Sequence, residues 1–271
     1  MSKRTRNRRA TAAHDAPAVR SAPAIPGHVV IVGLGPSCLS YMDRAMRLGG
    51  RHAFCDEVWA INALGAVIEC DRIFHMDDVR VQEARAAAKP DSNIAQMLRW
   101  MRHHPGPIYT SRAHPDYPGL VEFPLEEVIN SCGMAYFNST AAYAVAYAVH
   151  LGVKQITCYG MDFTYPNAHQ AEKGRACVEF HLAIGHARGI RIGLPEKTTL
   201  MDSIAINAGR QDEFLYGYDT LDVSFEGGGE ELCRVIRKER TRLATAAEIE
   251  ARYDHSRHPN ALVSEQKEPS S

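Results

Sequence analysis

Two kinds of side chain in this 271-residue chain have the type and setting for chemistry. The first is the carboxylate. Asp77 and Asp78 follow the apolar run Arg72-Ile73-Phe74-His75-Met76, and Asp162 sits in Gly160-Met161-Asp162-Phe163 after a second run. Together they could hold a Mg²⁺ that neutralises a diphosphate, because Mg²⁺ needs only one or two carboxylates beside phosphate oxygens. The plainer reading is solvated charge for the adjacent pair and a turn carboxylate for Asp162. The second is histidine, whose unperturbed pKa near 6.5 suits a general base at neutral pH. His169 is the best placed of the 13, in the polar loop after Asp162, and His75 is next. His181 and His186 fall within a helical pattern and read as structural. Anion binding calls for different residues: Gly33-Leu34-Gly35-Pro36-Ser37, Asn62, and Asn138-Ser139-Thr140. Glycines let the backbone approach a ligand, and N–H groups at a helix start favour negative charge. The same turn also reads as a plain strand-to-helix connection, since the third glycine of Gly-x-Gly-x-x-Gly is absent.

The elements that must position these residues are short strands between helical patterns. His28-Val29-Val30-Ile31-Val32 is a β-branched run, and Ser37 is placed to cap a helix ending at Gly49. Glu57–Asn62, Arg72–Met76, Ile108–Thr110, Gln155–Tyr159 and Ile190–Ile192 read as further strands. Residues 79–104 read as two helical pieces broken near Pro90, with Asp91 or Ser92 capping the second. Ala141, Ala142, Val145, Ala146 and Val149 form an apolar stripe at helical spacing, closed by Gly152. Strands about 20 residues apart separated by helices imply βαβ units and a parallel sheet. In such sheets ligands lie beyond the carboxyl ends of the strands, where the glycine turn, Asn62, Asp77, Asp78 and Asp162 all fall.

The expected architecture is α/β: a Rossmann-like, mostly parallel sheet over residues 26–225 with helices on both faces. Residues 111–137, rich in proline, tyrosine and histidine, read as an irregular lid or substrate loop, or as holding small strands without a clear pattern. Phe214, Leu215, Tyr216, Tyr218 and Leu221 read as a hairpin or partner surface, and Gly227-Gly228-Gly229 as a flexible break. Residues 226–271 read as a charged helix around 230–240, another near 245–253, and a polar tail. Residues 1–25 carry Lys3, Arg4, Arg6, Arg8, Arg9 and Arg20 against Asp15 alone. They read as a solvated tail, or as an arm that docks on nucleic acid.

Composition narrows the function classes. A formal net charge of −1 gives no global argument for nucleic acid or membrane. No run of 18 apolar residues predicts a membrane span, and the basic amino end lacks the apolar core of a secretory signal. Seven scattered cysteines without Cys-x-x-Cys point to a reducing, cytoplasmic setting. No Gly-Lys-Ser/Thr follows the glycine turn and no Gly-x-Ser-x-Gly elbow occurs. Asn62 stands where a dinucleotide fold would place an acidic ribose ligand, which argues against NAD chemistry.

With these motifs placed, residues 28–194 resemble two groups. One is the bacterial sialyltransferases of glycosyltransferase family 42. The other is the group similar to archaeal 6-hydroxymethylpterin pyrophosphokinase, which includes flagellin-glycosylation accessory factors. The resemblance is carried by the order and spacing of Gly33-Leu34-Gly35-Pro36-Ser37, Asn62, Asn138-Ser139-Thr140, Gly152, Ile156 and Gly160-Met161-Asp162-Phe163. It implies a nucleotide-dependent transferase. On the sialyltransferase side, Gly33–Ser37, Asn62 and Ser139 would hold a CMP-sugar and His169 would be the base. Leu34 stands where that group has asparagine, and Asn138-Ser139-Thr140 where it has Thr-Ser-Gly, so a CMP-, UDP- or GDP-linked donor is expected without sialic acid being specified. The pterin-kinase side implies a Mg-dependent diphosphotransferase using ATP, with Asp77 and Asp78 at the metal. A third alternative is a nucleotide-binding module whose basic arm brings it to nucleic acid, including one that modifies DNA bases.

Overall fold

Alternation along the first apolar run decides the architecture. The computed structural model describes residues 25–164, 166–196, 198–203, 223–226, 234–237 and 245–251. Its strands β1 (His28–Val32), β2 (Glu57–Ile61), β3 (Arg72–Phe74), β4 (Ile108–Thr110), β5 (Leu120–Glu122), β6 (Gln155–Tyr159) and β7 (Arg191–Gly193) form one sheet, in the spatial order β5-β4-β3-β2-β1-β6-β7. Every pairing in it is parallel. Val29 and Ile31 join Trp59 and Phe74 in one core, while Val30 and Val32 join Val58, Ala60 and Ile73 in another. Side chains of a strand alternate between faces, so a run with no polar residue requires cover on both. Each fully buried Val or Ile contributes about 1.5–3 kcal/mol to that cover. The chain is therefore a Rossmann-like α/β protein.

The helices supply the cover. On the first face α5 (Thr140–Leu151) lies across β1, β2 and β3, flanked by α4 (Leu125–Cys132) and α6 (Ala168–Ala187). Ala144, Ala146 and Ala148 are fully buried, because alanine lets the helix press close to both sheet and neighbours. Gly152, in the left-handed region at φ 71°, closes α5. On the second face sit α1 (Cys38–Leu48), through Tyr41, and α3 (Asn93–Met101), through Leu98 and Met101. Ser92 caps α3, accepting from the Ala95 N–H, and α2 (Val79–Ala88) precedes it. The break near Pro90 falls as the sequence implies.

Two expectations are corrected. Residues 111–137 are not an irregular lid: they hold the short edge strand β5 and α4, and Tyr117 just ahead of β5 is buried. A three-residue strand is too short for its alternation to register. Around 230–240 the described residues are a strand, not a charged helix: β9 (Arg234–Arg237) pairs antiparallel with β8 (Val223–Glu226). The β-branched Val235 and Ile236 favour that outcome over the flanking charge. The helix expected near 245–253 is present as α7 (Ala246–Glu250). Residues 1–24, the apolar cluster from Phe214 to Leu221, and Gly227–Gly229 lie outside the described residues. No described helix is long and apolar enough to cross a membrane.

The amino ends of β2 and β3 are joined by charge. Arg72 donates from Nε to Glu57 Oε2 at 2.6 Å and from Nη2 to Oε1 at 2.9 Å, a bidentate pair. Trp59 Nε1 donates to the same carboxylate at 2.6 Å. Burial alone raises the pKa of Glu57, but the hydrogen bonds from Arg72 and Trp59 and the Arg72 charge lower it more, so the net shift is downward. A lowered carboxylate contributes stability above the ordinary carboxylate range and loses it as pH falls through the folded value. Glu57→Gln is accordingly expected to cost about 2 kcal/mol at neutral pH. The gap to wild type should close in melting experiments as pH falls below the ordinary carboxylate range and through the lowered value; a gap independent of pH would refute the account.

Candidate functional site

The chain runs from β1 to β2 on one side of the sheet and from β6 to β7 on the other, so connections diverge between β1 and β6. Such a divergence leaves a crevice beyond the carboxyl ends. Here it is a cleft of 490 Å³, lined by Gly33–Pro36 after β1, Ile61 and Asn62 after β2, Ser139–Ala141 at the start of α5, and Gly160–Thr164 after β6. That volume suits a small molecule. Segments more than a hundred residues apart in sequence thus meet at one rim.

The floor of the cleft is a contact between two turns. Gly33 N–H donates to Tyr159 O and Gly35 N–H to Gly160 O, each at 2.8 Å. A Cβ on Gly33 would lie 2.4 Å from Gly160 O, and one on Gly160 would lie 2.1 Å from Gly33 O. Asp162 locks the pair. Its carboxylate accepts from the Ser37 N–H at 2.7 Å and from the Ser37 hydroxyl at 2.6 Å, and that hydroxyl in turn accepts from the Gly160 N–H at 2.7 Å. Ser37 therefore does not cap α1 with its side chain. The amino end of α1, expected to receive a phosphate, receives the chain's own carboxylate instead. Gly33, Gly35 and Ser37 spend their N–H groups on the β6 side, and Pro36 has none to offer.

The anion-favouring wall is the start of α5. Ser139 caps it, accepting from the Ala142 N–H at 3.4 Å, and Asn138 N–H reaches Cys177 Sγ at 3.4 Å. Thr140 and Ala141, at the first helical positions, have no intrahelical acceptor for their N–H groups. Both line the cleft. The helix dipole adds its positive end at the same point.

Opposite stands Asn62, at φ 53° in the left-handed region that asparagine tolerates better than most residues. Behind it His75 is buried, its Nδ1 3.1 Å from Asn62 Oδ1 and its Nε2 2.9 Å from Gln82 Oε1. Burial pushes the His75 pKa down, and the Gln82 bond and the Asp77 charge offset this only in part. Phe163 also lines the cleft at positive φ, 47°, its ring seated where Gly174 of α6 has no side chain. A bulky residue in that region is a strained position of the kind that gathers at binding sites.

The carboxylates do not assemble as a metal site. Asp78 caps α2, its Oδ1 accepting from the Arg80 N–H at 3.0 Å, and it pairs with the Arg80 guanidinium. Those bonds hold its carboxyl well below the usual carboxylate range. Asp77 is exposed, neither aspartate lines the cleft, and both oxygens of Asp162 are engaged by Ser37. Among the described residues no group of three or more His, Cys, Asp or Glu could hold a metal ion. Asp77, Asp78 and Asp162 thus do not come together at the cleft. His169 stands exposed on the first turn of α6, while the cleft lining ends at Thr164. His181 is structural as expected: its Nε2 lies 3.0 Å from Tyr136 O and its ring stacks on Phe137. Sequence reasoning missed Ala141, Phe163 and Thr164 as lining and Gln82 as the partner of His75. Gln82, buried on an otherwise polar and alanine-rich helix, leaves no periodic signal.

Fold and cleft together define the class: a Rossmann-like protein with a cleft at the point where its strand connections diverge. No family model, curated protein or solved structure matches the chain.

Proposed function

We propose that this cleft binds a nucleotide-activated donor, and that the protein is a transferase moving a sugar from that donor to a hydroxyl acceptor. The observation that carries the reading is the convergence on one 490 Å³ cleft of the α5 amino end and the Asn62 carboxamide, on either side of the glycine turn. The first-turn N–H groups of Thr140 and Ala141 suit the phosphates, and departing phosphate charge is favoured by the dipole of α5. Asn62 suits a ribose or base. With Asp78 paired to Arg80 and Asp162 to Ser37, the phosphates would be neutralised by backbone dipoles, which favours sugar transfer over a carboxylate-bound Mg²⁺ diphosphotransferase.

The test is thermal shift with CMP, UDP, GDP and ATP on wild type and Ser139→Asp. Aspartate caps a helix as well as serine does, so the variant should fold. It sets a negative charge where the phosphate would lie. One nucleotide at about 100 times its Kd should raise the wild-type Tm by roughly 5–10 °C. That shift should vanish in Ser139→Asp. A wild type unmoved by every nucleotide, or a variant that keeps the full shift, would overturn the proposal.

A further inference from the structure

Asn62, His75 and Gln82 form a chain of three polar side chains, two of them buried, that leads from α2 to the cleft wall. The ring nitrogens of His75 face Asn62 Oδ1 at 3.1 Å and Gln82 Oε1 at 2.9 Å. A ring with one proton can donate to only one of two carbonyl oxygens. The ring is buried, and burial disfavours a second proton. One of the two amides must therefore turn its N–H2 toward the ring, and the orientation of one then dictates that of the other.

We propose that His75, braced by Gln82, is a positioning residue that carries its proton on Nδ1 and holds Asn62 Oδ1, so that the Asn62 N–H2 is offered into the cleft as a donor. Gln82 then gives its own N–H2 to Nε2, so that both ring nitrogens are matched. The cleft is thereby set to accept a nucleoside through an acceptor atom, a ribose oxygen or a base carbonyl, and to disfavour a donor at the same point. The backbone holds both partners in place: the left-handed turn at Asn62 fixes where its side chain starts, and His75 is anchored by its N–H to Tyr109 O at 2.8 Å. The identity of the ligand rests on the nucleotide reading above; the orientation of Asn62 does not.

The experiment has two arms. Nitrogen-15 NMR of the ligand-free, histidine-labelled protein, with His75→Asn removing one ring from the spectrum to assign it, should show Nδ1 protonated and Nε2 bare. A ring protonated on Nε2 alone would overturn the orientation. In the second arm His75→Leu should weaken the stabilising nucleotide about tenfold, the loss of one oriented hydrogen bond, while pyrophosphate binds as in wild type. His75→Asn, whose side-chain N–H2 can replace the Nδ1 proton donor, should restore most of that loss. A merely structural role would move nucleotide and pyrophosphate together and would show no such rescue. Nucleotide affinity unchanged in His75→Leu would overturn the positioning role, whereas a wild type that binds no nucleotide would overturn the functional reading and with it the nucleoside as ligand.

Discussion

Asp162→Ala is expected to lower the melting temperature by roughly 4–24 °C and to abolish the nucleotide shift. The carboxylate is 3% exposed and receives both the N–H and the hydroxyl of Ser37, itself buried. Removing it strands two buried donors, at about 1–3 kcal/mol each. For a chain of this size each kcal/mol is worth about 2–4 °C. The loss reaches beyond stability, because Ser37 also receives the Gly160 N–H, and so the same carboxylate holds the two turns that floor the cleft. Asp162→Asn should fall between wild type and alanine. It keeps an oxygen for the Ser37 N–H but turns an N–H2 toward a hydroxyl that already accepts from Gly160. An alanine variant melting within about 2 °C of wild type would show that the lock is dispensable, contrary to the usual cost of stranded donors.

Gly160→Ala should be as damaging for a steric reason. At φ 65° an alanine pays about 1–2 kcal/mol for the left-handed conformation. Its Cβ would also stand 2.1 Å from Gly33 O, a backbone atom that can move only by parting β1 from β6. A total of about 2–5 kcal/mol follows, the sum of overpacking and strain. Gly189→Ala separates the two causes. Gly189 has φ 84° but nothing within 4 Å of its would-be Cβ, so only the conformational cost applies. Thermal melts should show Gly160→Ala losing at least twice what Gly189→Ala loses; equal losses would mean that the turns yield without cost.

Much of the fold was legible because its signals are local. The run from His28 to Val32 reads as a buried strand, Gly49 and Gly152 mark helix ends, and the alanines of α5 announce a helix meant to lie close to a sheet. The part of the site that could be read was its address, the carboxyl rim, which follows from parallel topology once Gly33–Ser37, Asn62 and Ser139 are placed on their elements. What could not be read were the pairings across the chain. Ser37 looks like a helix cap, and nothing nearby says that its hydroxyl serves a carboxylate 125 residues later. Asp78 looks like half of an acidic pair, yet Arg80 two residues on claims it. The His75–Gln82 bond crosses from a strand end to a helix, and neither residue type announces it. The strand β5 was hidden for a simpler reason: three residues carry too little pattern to stand out from the prolines and tyrosines around them.

The position of β1 inside the sheet, between β2 and β6, sets a timetable for synthesis. His28 meets Thr157, 129 positions further along the chain. At about 5–20 residues per second a ribosome needs roughly 6–25 s to deliver that partner. Through that interval this buried, β-branched strand has β2 on one flank and an unpaired hydrogen-bonding edge on the other. Such an edge invites pairing with another nascent copy, so the yield of folded protein in a crowded cell depends on how quickly β6 emerges, and rare codons between α4 and β6 would lengthen the exposure.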